Sequence, residues 1–266
     1  MQLITSITPT ICKLMGVEPP EISTEKVIDA VVDAAGKTLG GQKVEKCLIY
    51  APDAIGETLF RDYSREFKGV IELAPIQVLL RSVYPTVTPV CFGSMFTGAP
   101  PEGHGITQYE KPVLRCDTLF DAFLRSGKRV AIVAVDGSSI AKIFLERELD
   151  YYIEEYDRQV NERAEELIRR GDHDLILVYN QEYDDTMHGT TPRSPEALAA
   201  VRKHLQSFVR LGKEFLNQNR GHTRLTLFSP DHGNHVDPDT GRGSHGLDTA
   251  EDMEVRSFWG VYDRER

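Results

Sequence analysis

Five short apolar runs, rich in β-branched residues and set between longer amphipathic stretches, constrain this chain more than any other feature. They are residues 47–51, 129–135, 174–179, 224–228 and 255–262. Each has the length and apolar continuity of a strand covered on both faces. Residues 24–36, 54–66, 117–126, 140–170 and 194–219 carry helical patterns between them. Strands alternating with helices predict an α/β fold: a mostly parallel central sheet with helices on both faces. A chain of 266 residues with 40% hydrophobic content suffices for one such domain. We expect it to span 1–266, with residues 1–43 as an N-terminal helical segment of the same domain.

Several helix ends are signalled directly. Ser194-Pro195-Glu196 places a capping residue before a proline at the first helical position. Asp117 at one end and Arg125 with Gly127 at the other frame a helix around Phe120. The stretch 140–170 is rich in Glu and Arg and predicts one long helix with a solvated face, able to act as a modest lid. Residues 85–109 are dense in Thr, Pro and Gly, which predicts a loop, a short helix and another loop. Loops of this kind carry function when a rigid sheet holds them.

Composition narrows the function classes. Formal net charge is −10, from 31 basic and 41 acidic residues, which argues against binding duplex nucleic acid through its backbone. An anionic substrate stays open, because bound cations reverse the local potential. No apolar run reaches the ~18 residues that a membrane span needs, and the N-terminus lacks the pattern of a signal peptide. Cys12, Cys47, Cys91 and Cys116 form no CxxC pair. They predict reduced thiols and a cytoplasmic location. The oligomeric state is not legible.

The chemistry gathers at the strand ends. Asp53 follows the first predicted strand; Glu182, Asp184 and Asp185 follow the third; Asp231 and His232 follow the fourth. In an open parallel sheet these ends share one edge, where ligands bind. Asp184 stands four residues before His188, so one helical turn would put both on one face. Ser229-Pro-Asp-His-Gly-Asn-His235 supplies an adjacent Asp-His pair, and Gly243-Ser-His-Gly246 sets His245 near glycines that let the backbone approach closely. Mixed carboxylate and imidazole ligands suit Zn²⁺, Mn²⁺ or Fe²⁺ better than Ca²⁺. Six ligands are too many for one tetrahedral ion and suit two, which about 3.5–4 Å apart can clamp both sides of a phosphoryl transfer. His235 competes with His232 or His245, and Asp185 with Asp184. Residues 237–243 read as a tight turn.

A nucleophile would complete the site. Thr88, ahead of Pro89 and a short helix over 90–97, has the pattern of a helix cap. A helix N-terminus also holds anions, and a hydroxyl beside a metal ion is readily deprotonated. Thr86 and Ser94 are competing hydroxyls.

In order along the chain stand an Asp, then Pro85-Thr-Val-Thr88 with Thr97-Gly-Ala-Pro-Pro-Glu-Gly-His-Gly-Ile106, then Glu182-x-Asp184-x-x-x-His188, then Asp231-His-Gly233, then Gly243-Ser-His-Gly246. This set resembles the alkaline phosphatase superfamily, in its nucleotide pyrophosphatase/phosphodiesterase branch, which includes phosphonoacetate hydrolase. The resemblance runs from about Asp53 to the C-terminus. It implies an alkaline-phosphatase-like fold and two divalent ions, zinc first. Asp184, His188 and His245 would hold one ion, and Asp53, Asp231 and His232 the other. Thr88 would be the nucleophile of a covalent phospho-enzyme, acting on a small phosphorylated or phosphonate substrate.

The chain departs from that pattern in four ways. Pro89 has no N–H to bind an oxyanion, which passes the role to a later amide, the metals, Tyr109 or Lys111. Tyr109 stands near where phosphodiesterases of the superfamily usually carry Asn. Residues 6–20 resemble a helix that many members carry after their last metal histidine, whereas here 21 residues follow His245. Thr8 would cap that helix and Gly16 end it, and circular permutation would place it near residues 255–262. The stretch 189–222 leaves no room for a cap domain. Alternative readings are a phosphonate hydrolase; a phosphomutase, for which Arg115 and Arg193 are the available arginines; and a non-catalytic metal-binding protein. A sulfatase would need Cys or Ser in place of Thr88, and Cys91 lies three residues too late.

Overall fold

The computed structural model describes residues 1–265. In chain order the first elements are β1 (Gln2–Leu3), α1 (Ile7–Met15), α2 (Asp29–Leu39), β2 (Lys46–Pro52), α3 (Glu57–Asp62), α4 (Lys68–Leu73) and β3 (Ile76–Arg81). Next come α5 (Thr88–Thr97), α6 (Pro101–His104), α7 (Leu119–Arg125), β4 (Val130–Val135), α8 (Ser139–Ile143), β5 (Asp150–Glu154), α9 (Asp157–Arg170) and β6 (Leu175–Asn180). The last are α10 (Glu182–Gly189), α11 (Pro195–Gln218), β7 (Arg224–Phe228), β8 (His235–Val236), β9 (Gly243–Ser244), α12 (Ala250–Met253) and β10 (Glu254–Tyr262).

An eight-stranded sheet runs β1-β3-β10-β7-β2-β6-β4-β5. Only β10 is antiparallel to its neighbours, β3 and β7; the other described pairings in this sheet are parallel. The expected α/β architecture is therefore the observed one. Strand periodicity assigns the two faces. Cys47, Ile49 and Ala51 of β2 enter one core with α1, α2, α5, α7 and α8. Leu48 and Tyr50 enter the other, with α9, α10 and α11.

Four expectations need correction. Residues 140–170 are not one helix: α8, β5 and α9 share them. β5 hides in the Glu- and Arg-rich pattern because it is an edge strand of half-buried residues. α9 lies on the sheet and against α11, so it is no lid. α7 is capped by Thr118 in a reciprocal box with Asp121, and Asp117 instead forms a bidentate pair with Arg125. α1 begins at Ile7, ahead of Thr8, whose hydroxyl donates to Met95 O at 2.7 Å; Gly16 ends it at φ 66° as expected. β3 was absent from the predicted strands, although its six residues carry the central partner of β10.

The N-terminal segment is built into this frame. β1 extends the sheet beside β3, α1 packs on α5 and α2, and α2 lies against β10.

Candidate metal centre

Three adjacent strands in the middle of the sheet, β7, β2 and β6, end at the same edge. Asp53 follows β2 directly, and its N–H donates to Asn180 O of β6 at 2.9 Å, continuing the ladder by one step. The next residue, Ala54, turns the chain in the left-handed region at φ 62°, an uncommon conformation for a residue with a Cβ that persists where surrounding bonds over-determine it. Those bonds are present: Ala54 N–H donates to Asp231 Oδ1 at 3.2 Å, and Ala54 O accepts from Asn234 Nδ2 at 2.7 Å. The loops after β2 and β7 are thus tied to each other.

α10 delivers Asp184 and His188 one turn apart, as the spacing predicted. Its N-terminal amides are held by other helices. Asp157 of α9 accepts from Gln181 N–H and Glu182 N–H, each at 2.9 Å, and His204 Nε2 of α11 accepts from Tyr183 N–H at 3.1 Å.

The six expected residues fall into the two expected groups. In each, one potential ligand atom per residue lies within 4.8 Å of the others: Asp184, His188 and His245 in one, Asp53, Asp231 and His232 in the other. The second group is buried and the first opens toward solvent. His232 Nε2 is 3.4 Å from Asp53 Oδ1 and 3.3 Å from Asp231 Oδ2. Asp184 Oδ1 is 3.3 Å from His188 Nε2 and 3.5 Å from His245 Nε2.

Two observations fit cations to these groups. Asp53 Oδ1, Asp184 Oδ1 and Asp231 Oδ2 are buried without a hydrogen-bond partner, a costly arrangement unless something positive meets them. Each histidine also donates Nδ1–H to a backbone carbonyl: His188 to Gly243 at 3.0 Å, His232 to Gly233 at 2.9 Å and His245 to Thr86 at 2.7 Å. That leaves every Nε2 lone pair facing the acids, the tautomer a ligand needs. Electrostatics agree. Burial, then the facing carboxylates, raises Asp53 and Asp231 well above the usual range. Burial also pushes Asp184 up, but His188, His245 and His232 outweigh it and bring it below. Burial first, and then the neighbouring His232, holds His245 down at about 3.

Thr88 lies at this centre. Its hydroxyl is 3.4 Å from Asp53 Oδ2 and 3.5 Å from His232 Nε2. The capping position of α5 belongs to Val87 and not to Thr88, and no side chain caps the helix. The Thr88 hydroxyl is therefore not consumed by a backbone amide. Thr86 is spent on the His245 loop, accepting from Gly246 N–H at 3.0 Å and donating to Leu247 O. Ser94 is bonded to His104 at 2.8 Å. A cavity of about 250 Å³ opens beside Thr88, walled by Tyr109, Lys111, Asp136, Ser139 and Gln181.

The competing residues are engaged elsewhere. His235 bonds Asp252 at 2.8 Å, and Asp185 accepts from Tyr156 at 2.7 Å. Asp237 caps the β8–β9 turn, accepting from Asp239 and Thr240 amides. Arg115 and Arg193 form surface pairs with Glu146 and Asp62. Sequence reasoning missed Asp252, which is buried, also accepts from Leu247 N–H at 2.8 Å, and whose backbone carbonyl accepts from Gly233 N–H. It joins the two loops that carry His232 and His245. It missed Tyr179 too, although a tyrosine closing an aliphatic strand is itself a signal.

The family model for type I phosphodiesterase/nucleotide pyrophosphatase matches residues 74–236, more than half of the chain. The chain belongs to that family. Four of the six clustered acids and histidines, and Thr88, fall inside the matched region; Asp53 and His245 flank it. Solved structures share the fold of this family member at low identity. Phosphonoacetate hydrolase from Sinorhizobium meliloti 1021, in complex with phosphonoacetate, is 19% identical over 76% of this chain and 61% of its own, with a TM-score of 0.54. Human ectonucleotide pyrophosphatase/phosphodiesterase 5 is 17% identical over 72% and 58%, with a TM-score of 0.58. Its murine counterpart, solved with AMP, covers the same shares at 0.55. The chain thus spans less than two thirds of the length of these structures. No curated protein matches it in sequence. Among the described residues, no helix is long and apolar enough to cross a membrane.

Proposed function

We propose that this protein is a two-metal hydrolase of phosphate esters with Thr88 as nucleophile. The carrying observation is the position of the Thr88 hydroxyl: free of capping, at the wall of a cavity, and within 3.5 Å of both Asp53 and His232. Asp184, His188 and His245 would hold one divalent ion and Asp53, Asp231 and His232 the other, with zinc the first choice for this donor set. Bound there, the ions would favour the threonine alkoxide and neutralise charge on the transferring phosphoryl group.

The chain's own groups account for the remaining steps. Thr88 Oγ1 attacks phosphorus; the phosphorus–oxygen bond to the leaving group breaks, and that oxygen keeps the electron pair. Water then attacks the phosphothreonine and returns the hydroxyl. The amide after Thr88 is missing because residue 89 is proline, so oxyanion contacts fall to side chains. Lys111 on the cavity wall is the available cation, its ammonium donating to Gly137 O at 2.9 Å beside the exposed Tyr109 ring. That cation also favours a second reading, a phosphonate hydrolase acting on a substrate with a further anionic group. A phosphomutase is disfavoured, since Arg115 and Arg193 are paired on the surface away from the cavity.

The same reading takes residues 1–266 as one metallohydrolase domain. The contacts of β1 with β3 and of α2 with β10 support the single domain; the helix of residues 6–20, α1, packs on α2, α5 and α7 instead of on residues 255–262, so the circular permutation lacks the contact it calls for. The unpaired cysteines fit a reducing, cytoplasmic compartment.

The test is hydrolysis of aryl phosphodiesters, phosphomonoesters and phosphonates by the metal-loaded protein and by Thr88→Ala. Loss of turnover with both ions retained is expected. Undiminished hydrolysis by Thr88→Ala would remove Thr88 as nucleophile. Two bound ions with no turnover on any ester would instead favour the non-catalytic metal-binding protein.

A further inference from the structure

We propose that Tyr179 is a positioning residue for this reaction: its phenol holds one oxygen of Asp53 and thereby turns the other toward the buried ligand trio while leaving the Thr88 hydroxyl unclaimed. The proposal rests on the two-metal reading above.

The geometry begins with strand register. β2 and β6 pair in parallel with Ala51 opposite Tyr179 and Pro52 opposite Asn180, which sets Tyr179 two residues short of the level of Asp53 and on the same face of the sheet. The Tyr179 hydroxyl donates to Asp53 Oδ2 at 2.5 Å. The Thr88 hydroxyl reaches the same oxygen at only 3.4 Å. A phenol carries one proton to donate, and at this distance it is the stronger of the two bonds. The competition has two results. Asp53 cannot rotate to offer Oδ2, so Oδ1, buried and without a partner, faces His232 Nε2. Thr88 is left with long contacts only and is not drawn into a firm bond with the acid.

The ring of Tyr179 serves the same end from its edge. Phe92, one helical turn after Thr88 on α5, meets it edge to face with centroids 5.5 Å apart. Tyr179 therefore touches a residue on the nucleophile's helix and an acid of the buried trio at once, and it also lines the cavity beside Thr88.

Tyr179→Phe removes the hydroxyl and keeps the ring against Phe92. The loaded wild type and variant are dialysed against graded chelator, and the retained zinc is counted. Steady-state kinetics then follow on whichever aryl ester the wild type hydrolyses. Asp53→Asn and Asp184→Asn serve as references for loss of one ion or the other. We expect Tyr179→Phe to release the ion that Asp53→Asn releases at roughly 10–100-fold lower chelator concentration, with the other ion held as in wild type. At saturating zinc we expect kcat to fall at least tenfold with KM nearly unchanged. A general packing defect would loosen both ions and would not separate kcat from KM. Retention of both ions as in wild type, with kcat within twofold, overturns the proposal while leaving the two-metal reading intact. A wild type that holds no zinc overturns the reading and the proposal together.

Discussion

The imidazole of His232 lies against that of His245, ring centroids 4.1 Å apart and planes 30° from parallel, although the two belong to different candidate ligand trios. The trios are therefore neighbours through their histidines, and within its own trio His188 lies 4.9 Å from His245, ring to ring. His188 is the more exposed and His232 the fully buried member. Substituting His188 with Ala should release the outer ion with a loss of affinity above roughly 100-fold and spare the inner one. His232→Ala should release the inner ion and weaken the outer as His245 loses its stacking partner. Metal content by mass spectrometry after dialysis checks this; loss of both ions from His188→Ala would contradict it.

Gly233 follows His232 where three backbones converge. A Cβ there would stand 2.0 Å from Glu251 O, and one on Gly56 would stand 2.7 Å from the Gly233 Cα. Neither obstacle is a side chain that can swing away. Gly233→Ala should therefore cost about 3 kcal/mol or more, by forced displacement of the backbone, seen as a fall in Tm of roughly 6–12 °C. A variant that melts with the wild type would show that the loop has slack.

His104 is buried on the turn before Ile106, bonded to Ser94 Oγ and accepting from Ile106 N–H at 3.3 Å. Burial first, against a weaker opposing pull from Glu102, holds its pKa down at about 4 from 6.5. The unfolded chain takes up the proton below pH 6.5 while the folded one does not until about pH 4. The stability it contributes at pH 7 is therefore lost as pH falls through that window, by roughly 3 kcal/mol in all. Urea midpoints at pH 7 and pH 4.5 should drop further for the wild type than for His104→Gln. Equal drops would exclude His104 as a source of acid sensitivity.

Arg256 of β10 and Glu57 of α3 make a two-pronged pair, 2.8 and 2.6 Å, with Glu57 almost wholly buried. Arg256→Met should cost about 3 kcal/mol, because it strands a buried carboxylate. Adding Glu57→Gln to that variant should return much of the loss. Denaturant unfolding of both variants decides; a double variant less stable than the single would refute the account.

The chemistry of this chain was far more legible than its edges. Asp53, Asp184, Asp231 and their histidines announce themselves because a candidate metal site restricts residue type and spacing. Strands β2, β4 and β6 are buried on both faces along their length, and the apolar runs within β7 and β10 mark those strands despite Arg224 and Arg256. β5 was lost because Asp150-Tyr-Tyr-Ile-Glu154 is half exposed at a sheet edge, where composition resembles a charged helix. Tyr179 bonds Asp53, far away in sequence, and Asp252 bonds His235 from the preceding loop, and only the folded register brings those together. The same is true of Thr88: its sequence context is that of a helix cap, and only the observed helix start frees its hydroxyl.

Each of the three clustered imidazoles has its outward nitrogen tied to a main-chain carbonyl, at Gly243, Gly233 and Thr86. A side-chain partner can be deleted by one codon change; a peptide oxygen is present whatever residue occupies the position. The orientation of the three Nε2 atoms is thus buffered against mutation in its surroundings. The walls of the neighbouring cavity, made of ordinary side chains such as Lys111 and Ser139, have no such protection. Drift in this lineage should therefore accumulate in what the site accepts sooner than in how it is armed.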